Sequence, residues 1–226
     1  QTEPSLRDCS FTVEPGELIL FTGESGCGKT TIIKLINGLL QHGGGGALEG
    51  AVTVNGRDVA GTPLWELAKT VGSVFQNHKS QFFNMDTTGE VLFGLESRGA
   101  SQEEMARALD SAAQVCGVGP LLDRNIFALS GGEKQRIACA SAWAIGPKVF
   151  VLDEPSSNLD GEGIRQLRDI LGRLKTAWWR STACGTPQTW LIGCSICGKG
   201  SWSGFAPGRS SWLCRKRNGA PWACGV

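Results

Sequence analysis

Three groups of residues in this chain have the types and spacing to act on a nucleotide. The first is Gly23-Glu24-Ser25-Gly26-Cys27-Gly28-Lys29-Thr30, which fits the pattern G-x-x-x-x-G-K-[ST] and leads into Thr31. Glycine lets the backbone wrap closely round a phosphate with its N–H groups pointing inward. Lys29 is then placed for the β- and γ-phosphates, and the Thr30 hydroxyl for Mg²⁺. The second group is Asp153-Glu154. Asp153 is suited to hold the metal directly or through water, and Glu154 to polarise an attacking water as general base, a role worth ~10²–10⁴ in rate. The third is Ser130-Gly131-Gly132, a turn that presents backbone N–H groups where a helix begins.

Each group needs an element to hold it. Leu18-Ile19-Leu20-Phe21 and Val149-Phe150-Val151-Leu152 are short apolar runs that read as buried strands, and Thr31 to Ile36 continues as a helix. A parallel sheet collects ligands at the carboxyl ends of its strands, so both carboxylates are expected beside the phosphate loop. A helix opened by Gly131 and Gly132 runs through Ile137 to about Ile145 and turns its positive end outward. On a lone subunit that end faces nothing, so the motif implies a second copy or a relative. Between Gln76 and Ser130 the pattern is helical. Thr87 to Glu96 is one helix; Ser101-Gln102-Glu103-Glu104 opens another with a capping box, and Met105, Leu109, Ala112 and Ala113 supply its apolar stripe. The glycine run from Gly43 to Gly46 reads as a flexible loop without chemistry.

Together these residues resemble the ATP-binding cassette (ABC) superfamily over roughly residues 5 to 176. The resemblance implies an α/β fold of the P-loop NTPase type: a mainly parallel core sheet, an antiparallel β edge near the N-terminus, and a helical subdomain at about 77–128. It implies ATP and Mg²⁺ as ligands. Gln76, in Val74-Phe75-Gln76-Asn77, is similar to the family's Q-loop glutamine, which contacts Mg²⁺ and the water and senses a transmembrane partner. Ser130, Gly131, Gly132 and Gln135 resemble the signature turn, and Ser157-Asn158-Leu159-Asp160 resembles the D-loop. The family forms a head-to-tail dimer, homomeric or heteromeric, in which each ATP lies between one subunit's phosphate loop and the other's signature. The helical subdomain reads either as a dock for the membrane partner or as a plain packed helical pair.

Finer phrases are similar to the energy-coupling-factor importers of vitamins and metal ions. They are Asn37-Gly38-Leu39-Leu40 with His42, Gln76-Asn77 followed by Lys79-Ser80-Gln81-Phe82-Phe83-Asn84, and Leu122-Asp123-Arg124-Asn125-Ile126. That resemblance implies an ATPase that energises import, working with a transmembrane coupling subunit and a substrate-binding membrane subunit. Phe82 and Phe83 fit core aromatics equally well. The alternatives are a non-transport ABC ATPase of DNA repair or translation, for which neither a long coiled-coil insert nor a tandem cassette is visible, and a nucleotide-binding subunit without turnover.

Composition bounds the reading. No run approaches the ~20 apolar residues of a membrane span and no signal peptide opens the chain, so a cytoplasmic protein is expected, peripheral on the inner membrane face through its partners. A net charge of +1 gives no electrostatic case for nucleic acid. Cys9, Cys27, Cys116 and Cys139 lack metal spacing and read as reduced thiols, with Cys27 a target for alkylation.

From about Ala177 the character changes. Residues 177–226 hold six of the eight Trp, five of the nine Cys, six basic residues and no Asp or Glu, whereas everything before carries all 21 acidic residues. No helical or strand periodicity is evident there. In the family this stretch supplies the last core strands and a switch-loop histidine, yet the two histidines here, His42 and His78, lie far upstream. Arg180-Ser181-Thr182-Ala183-Cys184 can be encoded by AGG AGC ACC GCC TGT, and reading two bases later gives Glu-His-Arg-Leu, which is similar to the switch-loop phrase. Residues 1–176 are therefore read as the cassette and 177–226 as an out-of-frame tail. On this reading Cys194-x-x-Cys197 is no zinc site, and Arg215-Lys216-Arg217 carries no nucleic-acid claim. The adenine-stacking aromatic that the family places early in the cassette, usually Tyr, is not assigned; the chain has no Tyr, and Phe11 is not proposed for the role.

Overall fold

The computed structural model describes residues 6, 9–13, 18–22, 28–43, 46–77, 81–156, 159–181, 190–195, 213–215 and 223–225. Gly23 to Cys27, His78 and Ser157-Asn158 lie outside them. The site is organised by a sheet of β1 (Leu18–Thr22), β4 (Val71–Val74), β5 (Val149–Asp153) and β6 (Trp190–Ser195), in the order β1-β6-β5-β4 and parallel throughout. Two short strands, β2 (Thr53–Val54) and β3 (Arg57–Asp58), form a separate antiparallel pair, placed in the chain between the short helices α2 (Leu39–His42) and α3 (Leu64–Thr70). Strands β7 (Leu213–Arg215) and β8 (Ala223–Gly225) form another.

Strand β5 is the hinge between two cores. All five of its residues are buried, as a parallel strand covered on both faces requires. Its side chains alternate between the faces. Val149 and Val151 pack with Ile19 and Phe21 of β1 and with Ile32, Ile33 and Ile36 of α1 (Lys29–Ile36). Phe150 and Leu152 pack instead with the helical layer: Val91 and Leu95 of α4 (Thr87–Glu96), Cys116 of α5 (Gln102–Cys116), Ile137 of α6 (Gly131–Ala144) and Leu167 of α7 (Gly161–Ser181).

Helix α6 passes through the middle of that layer. Ala138, Cys139, Ala140, Ala142 and Ala144 are buried round its circumference, and their small size lets α4 and α5 approach closely. Polar contacts fix the rotation: the Ser141 hydroxyl donates to the Glu90 carbonyl at 3.1 Å, and the Trp143 indole N–H donates to Ser111 at 3.0 Å. On α5 half of the expected capping box forms. Ser101 accepts from the Glu104 N–H at 3.2 Å, but the Glu104 carboxylate turns to Arg98 instead of the Ser101 N–H. The expected stripe of Met105, Leu109, Ala112 and Ala113 does pack on the core.

Helix α7 continues to Ser181, and Trp190–Ser195 occupies the slot between β1 and β5. Among the described residues no helix is long and apolar enough to cross a membrane.

Gly72 of β4 marks the tightest joint between sheet and helical layer. A Cβ there would lie 2.8 Å from the Ala142 carbonyl oxygen and 2.8 Å from Cγ of Pro147. Backbone cannot yield as a flexible side chain can. Gly72→Ala is expected to lower stability by about 1–3 kcal/mol, as overpacking does, in urea unfolding of the full chain.

Candidate functional site

The carboxyl ends of β4 and β5 meet the start of α1, and five polar side chains converge there. Asp153, the last residue of β5, is 4% exposed and its Oδ1 accepts a 3.1 Å hydrogen bond from the Thr30 hydroxyl. Glu154 follows at the end of the strand. Its Oε2 accepts from the Gln76 carboxamide at 2.9 Å, and its Oε1 lies 4.0 Å from the Lys29 ammonium. Residues separated by 123 and 78 positions are thus in contact. The backbone of Glu154 has φ 45°, a left-handed conformation that costs a residue with a side chain about 1–2 kcal/mol. Gly28, at φ 96°, precedes α1 in a conformation that suits glycine. Thr31 is half-buried on the first turn of α1.

Burial dominates the electrostatics. It pushes the Asp153 carboxyl above its ordinary range, against the hydrogen bond from Thr30 and the charges of Lys29 and Lys34. It does the same to Glu154, opposed by Lys29 and reinforced by Asp153. Raised carboxyls beside a lysine at the end of a strand make this a candidate functional site. The oxygens of Thr30, Asp153 and Gln76 form a hard donor set that suits Mg²⁺. Among the described residues no cluster of His, Cys, Asp and Glu suggests another metal.

The Ser130 turn lies at the start of α6. Ser130 is the N-cap of a reciprocal capping box: its hydroxyl accepts from the Glu133 N–H at 3.3 Å, and its own N–H donates to Glu133 Oε2 at 2.8 Å. Those bonds to Ser130 hold the Glu133 carboxyl below its ordinary range. Gly131 and Gly132 follow as the first helical residues, whose N–H groups have no intrahelical acceptor. Gln135 departs from the expectation that it belongs with this exposed surface. It is 4% exposed, on the helix face it shares with the buried Cys139 four residues on. Asp160 caps α7, accepting from the Gly163 N–H at 2.8 Å.

The phosphate-loop residues Gly23, Glu24, Ser25, Gly26 and Cys27 lie outside the described residues. The paired aromatics divide: Phe82 packs against the helical core, whereas Phe83 is 73% exposed and stacks on Phe93 with centroids 4.8 Å apart. Cys116 and Cys139 are free thiols, and burial pushes Cys139 up to about 12. Phe11 packs edge-on against Phe21.

Two polar residues near the site had escaped assignment from sequence. The Gln81 carboxamide bonds to the Phe75 N–H and the Ser73 carbonyl, and the buried Glu90 carboxylate accepts from the N–H groups of Phe83 and Asn84. The only local signal was Glu90 in the first turn of a helix, where a carboxylate is ordinary.

This geometry has known counterparts. Residues 6–157 match the ABC transporter family, and the chain belongs to it. Members of that family are ATPases whose cassette binds ATP. A provisionally named ABC transporter ATP-binding protein of Treponema denticola is 44% identical over 173 residues, 76% of this chain and 35% of that protein. Another, of Saccharolobus solfataricus, is 40% identical over 171 residues, 76% of this chain and 32% of that protein. The chain therefore spans about a third of the length of the curated relatives it matches. Among solved structures, cbiO1 from Clostridium perfringens, part of the ABC transporter complex cbiONQ, superposes with a TM-score of 0.72. At 24% identity, over 85% of this chain and 72% of that one, the likeness establishes the P-loop ABC ATPase fold.

The raised carboxyls set a pH test. Asp153 and Glu154 hold their protons more tightly folded than unfolded. They therefore oppose folding increasingly as pH rises from the ordinary carboxylate value through the raised folded value. Glu154→Gln, measured without nucleotide, is expected to raise the unfolding midpoint near neutral pH, with the gain closing in acid. A midpoint that falls near neutral pH would contradict the assigned electrostatics.

Proposed function

We propose that this chain hydrolyses ATP at a site completed by a second cassette, and so energises a membrane importer of the energy-coupling-factor type. The observation that carries this reading is the convergence of Thr30, Asp153, Glu154, Gln76 and Lys29 at one sheet edge, while the Ser130 turn stands open at the start of α6. The loop from Gly23 to Thr30 cradles the phosphates, and Lys29 neutralises charge on the β- and γ-oxygens. Glu154 accepts the proton of the attacking water while its oxygen bonds to the γ-phosphorus and the bridging bond to the β-phosphate breaks. A carboxyl raised by burial is the stronger base for that proton. Thr30, Asp153 and Gln76 are the residues that would hold Mg²⁺, which when bound offsets phosphate charge. Ser130 and the Gly131 and Gly132 N–H groups address the γ-phosphate held by the other subunit, and Asp160 lies at the D-loop of that interface.

The importer assignment rests on the sequence phrases and on the fold shared with cbiO1, whose complex is named as a transporter. It implies a transmembrane coupling subunit, a substrate-binding membrane subunit and a location on the inner membrane face. The absence of any histidine after His78 favours a second reading, a nucleotide-binding subunit with little turnover. His42 lies apart from the carboxylates, with Nε2 2.9 Å from the Thr62 carbonyl oxygen. We infer that residues 177–226 are read out of frame. A nucleotide sequence encoding Glu-His-Arg in the shifted frame near codon 181 supports this, and its absence makes the tail genuine.

Glu154→Gln is expected to lower Mg²⁺-ATP turnover ~10²–10⁴-fold with ATP binding retained, and full turnover would sink the general-base assignment. Subunit mixing tests the shared site. Lys29→Ala and Gly131→Asp chains should each be inactive alone, and an equal mixture should regain about a quarter of parental turnover, because half the dimers then hold one intact site of two. No recovery would count against the head-to-tail arrangement.

A further inference from the structure

We infer that Gln81 is a positioning residue that holds Gln76 against Glu154 by acting as a side-chain substitute for a missing fifth strand. The inference rests on the proposed role of Gln76 and Glu154 in hydrolysis. Among the described residues strand β4 is the edge of the four-stranded sheet, with β5 on one side and no strand on the other. Just past its end the Gln81 carboxamide bonds twice to the backbone: Oε1 accepts from the Phe75 N–H at 3.2 Å, and Nε2 donates to the Ser73 carbonyl at 3.1 Å. A residue of a neighbouring parallel strand makes the same pair of bonds, to the residues on either side of the one it faces. One amide side chain thus closes the open edge opposite Val74.

The consequence falls on the next residue. Gln76 is itself exposed, so few packing contacts fix its direction, and its place depends on the backbone that delivers it. Phe75 is the last point at which that backbone is tied down before Gln76 reaches Glu154 at 2.9 Å. The other end of the segment is fixed by Glu90. Its Oε2 accepts from the N–H groups of both Phe83 and Asn84 at 2.9 Å, and the residue is 2% exposed. Glu90 is in turn tied through its carbonyl to Ser141 on α6. A misplaced positioning contact of this kind acts on the rate of a step more than on ground-state binding.

The test uses the full chain with Mg²⁺-ATP. Gln81→Leu removes both bonds at similar volume, and is expected to lower kcat about ten- to a hundredfold with KM changed less than about twofold. Gln81→Glu keeps the acceptor for Phe75 but loses the donor to Ser73 until it is protonated, so its turnover relative to the parent should recover as pH falls. A purely structural role would not produce that pH-dependent ratio. Backbone hydrogen exchange gives a readout independent of turnover: amides of residues 75–77 should exchange faster in Gln81→Leu, while those of α6 remain unchanged. If the parent hydrolyses ATP and Gln81→Leu matches it in kcat, the positioning role is overturned and the hydrolytic reading stands. If the parent shows no turnover, the hydrolytic reading fails, and unchanged exchange at 75–77 would then overturn the strand-substitute contact as well. Gln81→Leu that unfolds leaves Gln81→Glu to decide, and a flat pH ratio in that variant counts against the proposal.

Discussion

The site depends on the burial of β5 between two cores. Because Phe150 and Leu152 face the helical layer while Val149 and Val151 face β1 and α1, the strand cannot shift by one residue without exchanging its two sets of partners. That register sets the chemistry. Val74 lies opposite Leu152, so two further residues along each strand bring Gln76 level with Glu154. The same register carries Asp153 to the Thr30 hydroxyl at the start of α1. Apolar packing along the strand thus aims the carboxylates at its end.

The arrangement is not one that stability alone would select. Two neighbouring carboxyls are buried at the end of a strand, and one of them occupies a left-handed backbone conformation. Thr30, Lys29 and Lys34 compensate part of the burial, yet both carboxyls remain raised. Such tension is tolerated where neighbouring structure over-determines the geometry. Here that role falls to the parallel ladder of β4, β5 and β6, together with Asn37, whose side chain reaches Ser73 at 3.4 Å and ties the end of α1 to β4.

The helical layer shows a different economy. Helix α6 is buried by small side chains almost all round, while its first turn, from Ser130 to Gly132, remains open to solvent or half-buried. Ser130 and Glu133 satisfy one another, and the glycine N–H groups at the positive end of the helix have no intrahelical acceptor. Gln135 belongs to the buried part of this helix and contributes to its packing, which separates a residue of the motif from the surface the motif presents.

Much of the site was legible in the chain because its parts are local. A strand, a glycine turn and a helix in succession specify the phosphate loop, and a buried apolar run followed by Asp153 and Glu154 specifies the second strand end. The helix Gln102–Cys116 announced itself by its cap and its apolar stripe. Tertiary structure alone decided which distant residues meet. That Gln76 bonds to Glu154, that Gln81 closes an open strand edge, that Gln135 turns inward and that Trp190–Ser195 lies between β1 and β5 all follow from register and packing between segments far apart in the chain. Local sequence carries propensity and pattern, whereas a buried polar contact or a slot in a sheet exists only once the partner segment is in place, because its partner supplies both the hydrogen bond and the exclusion of water.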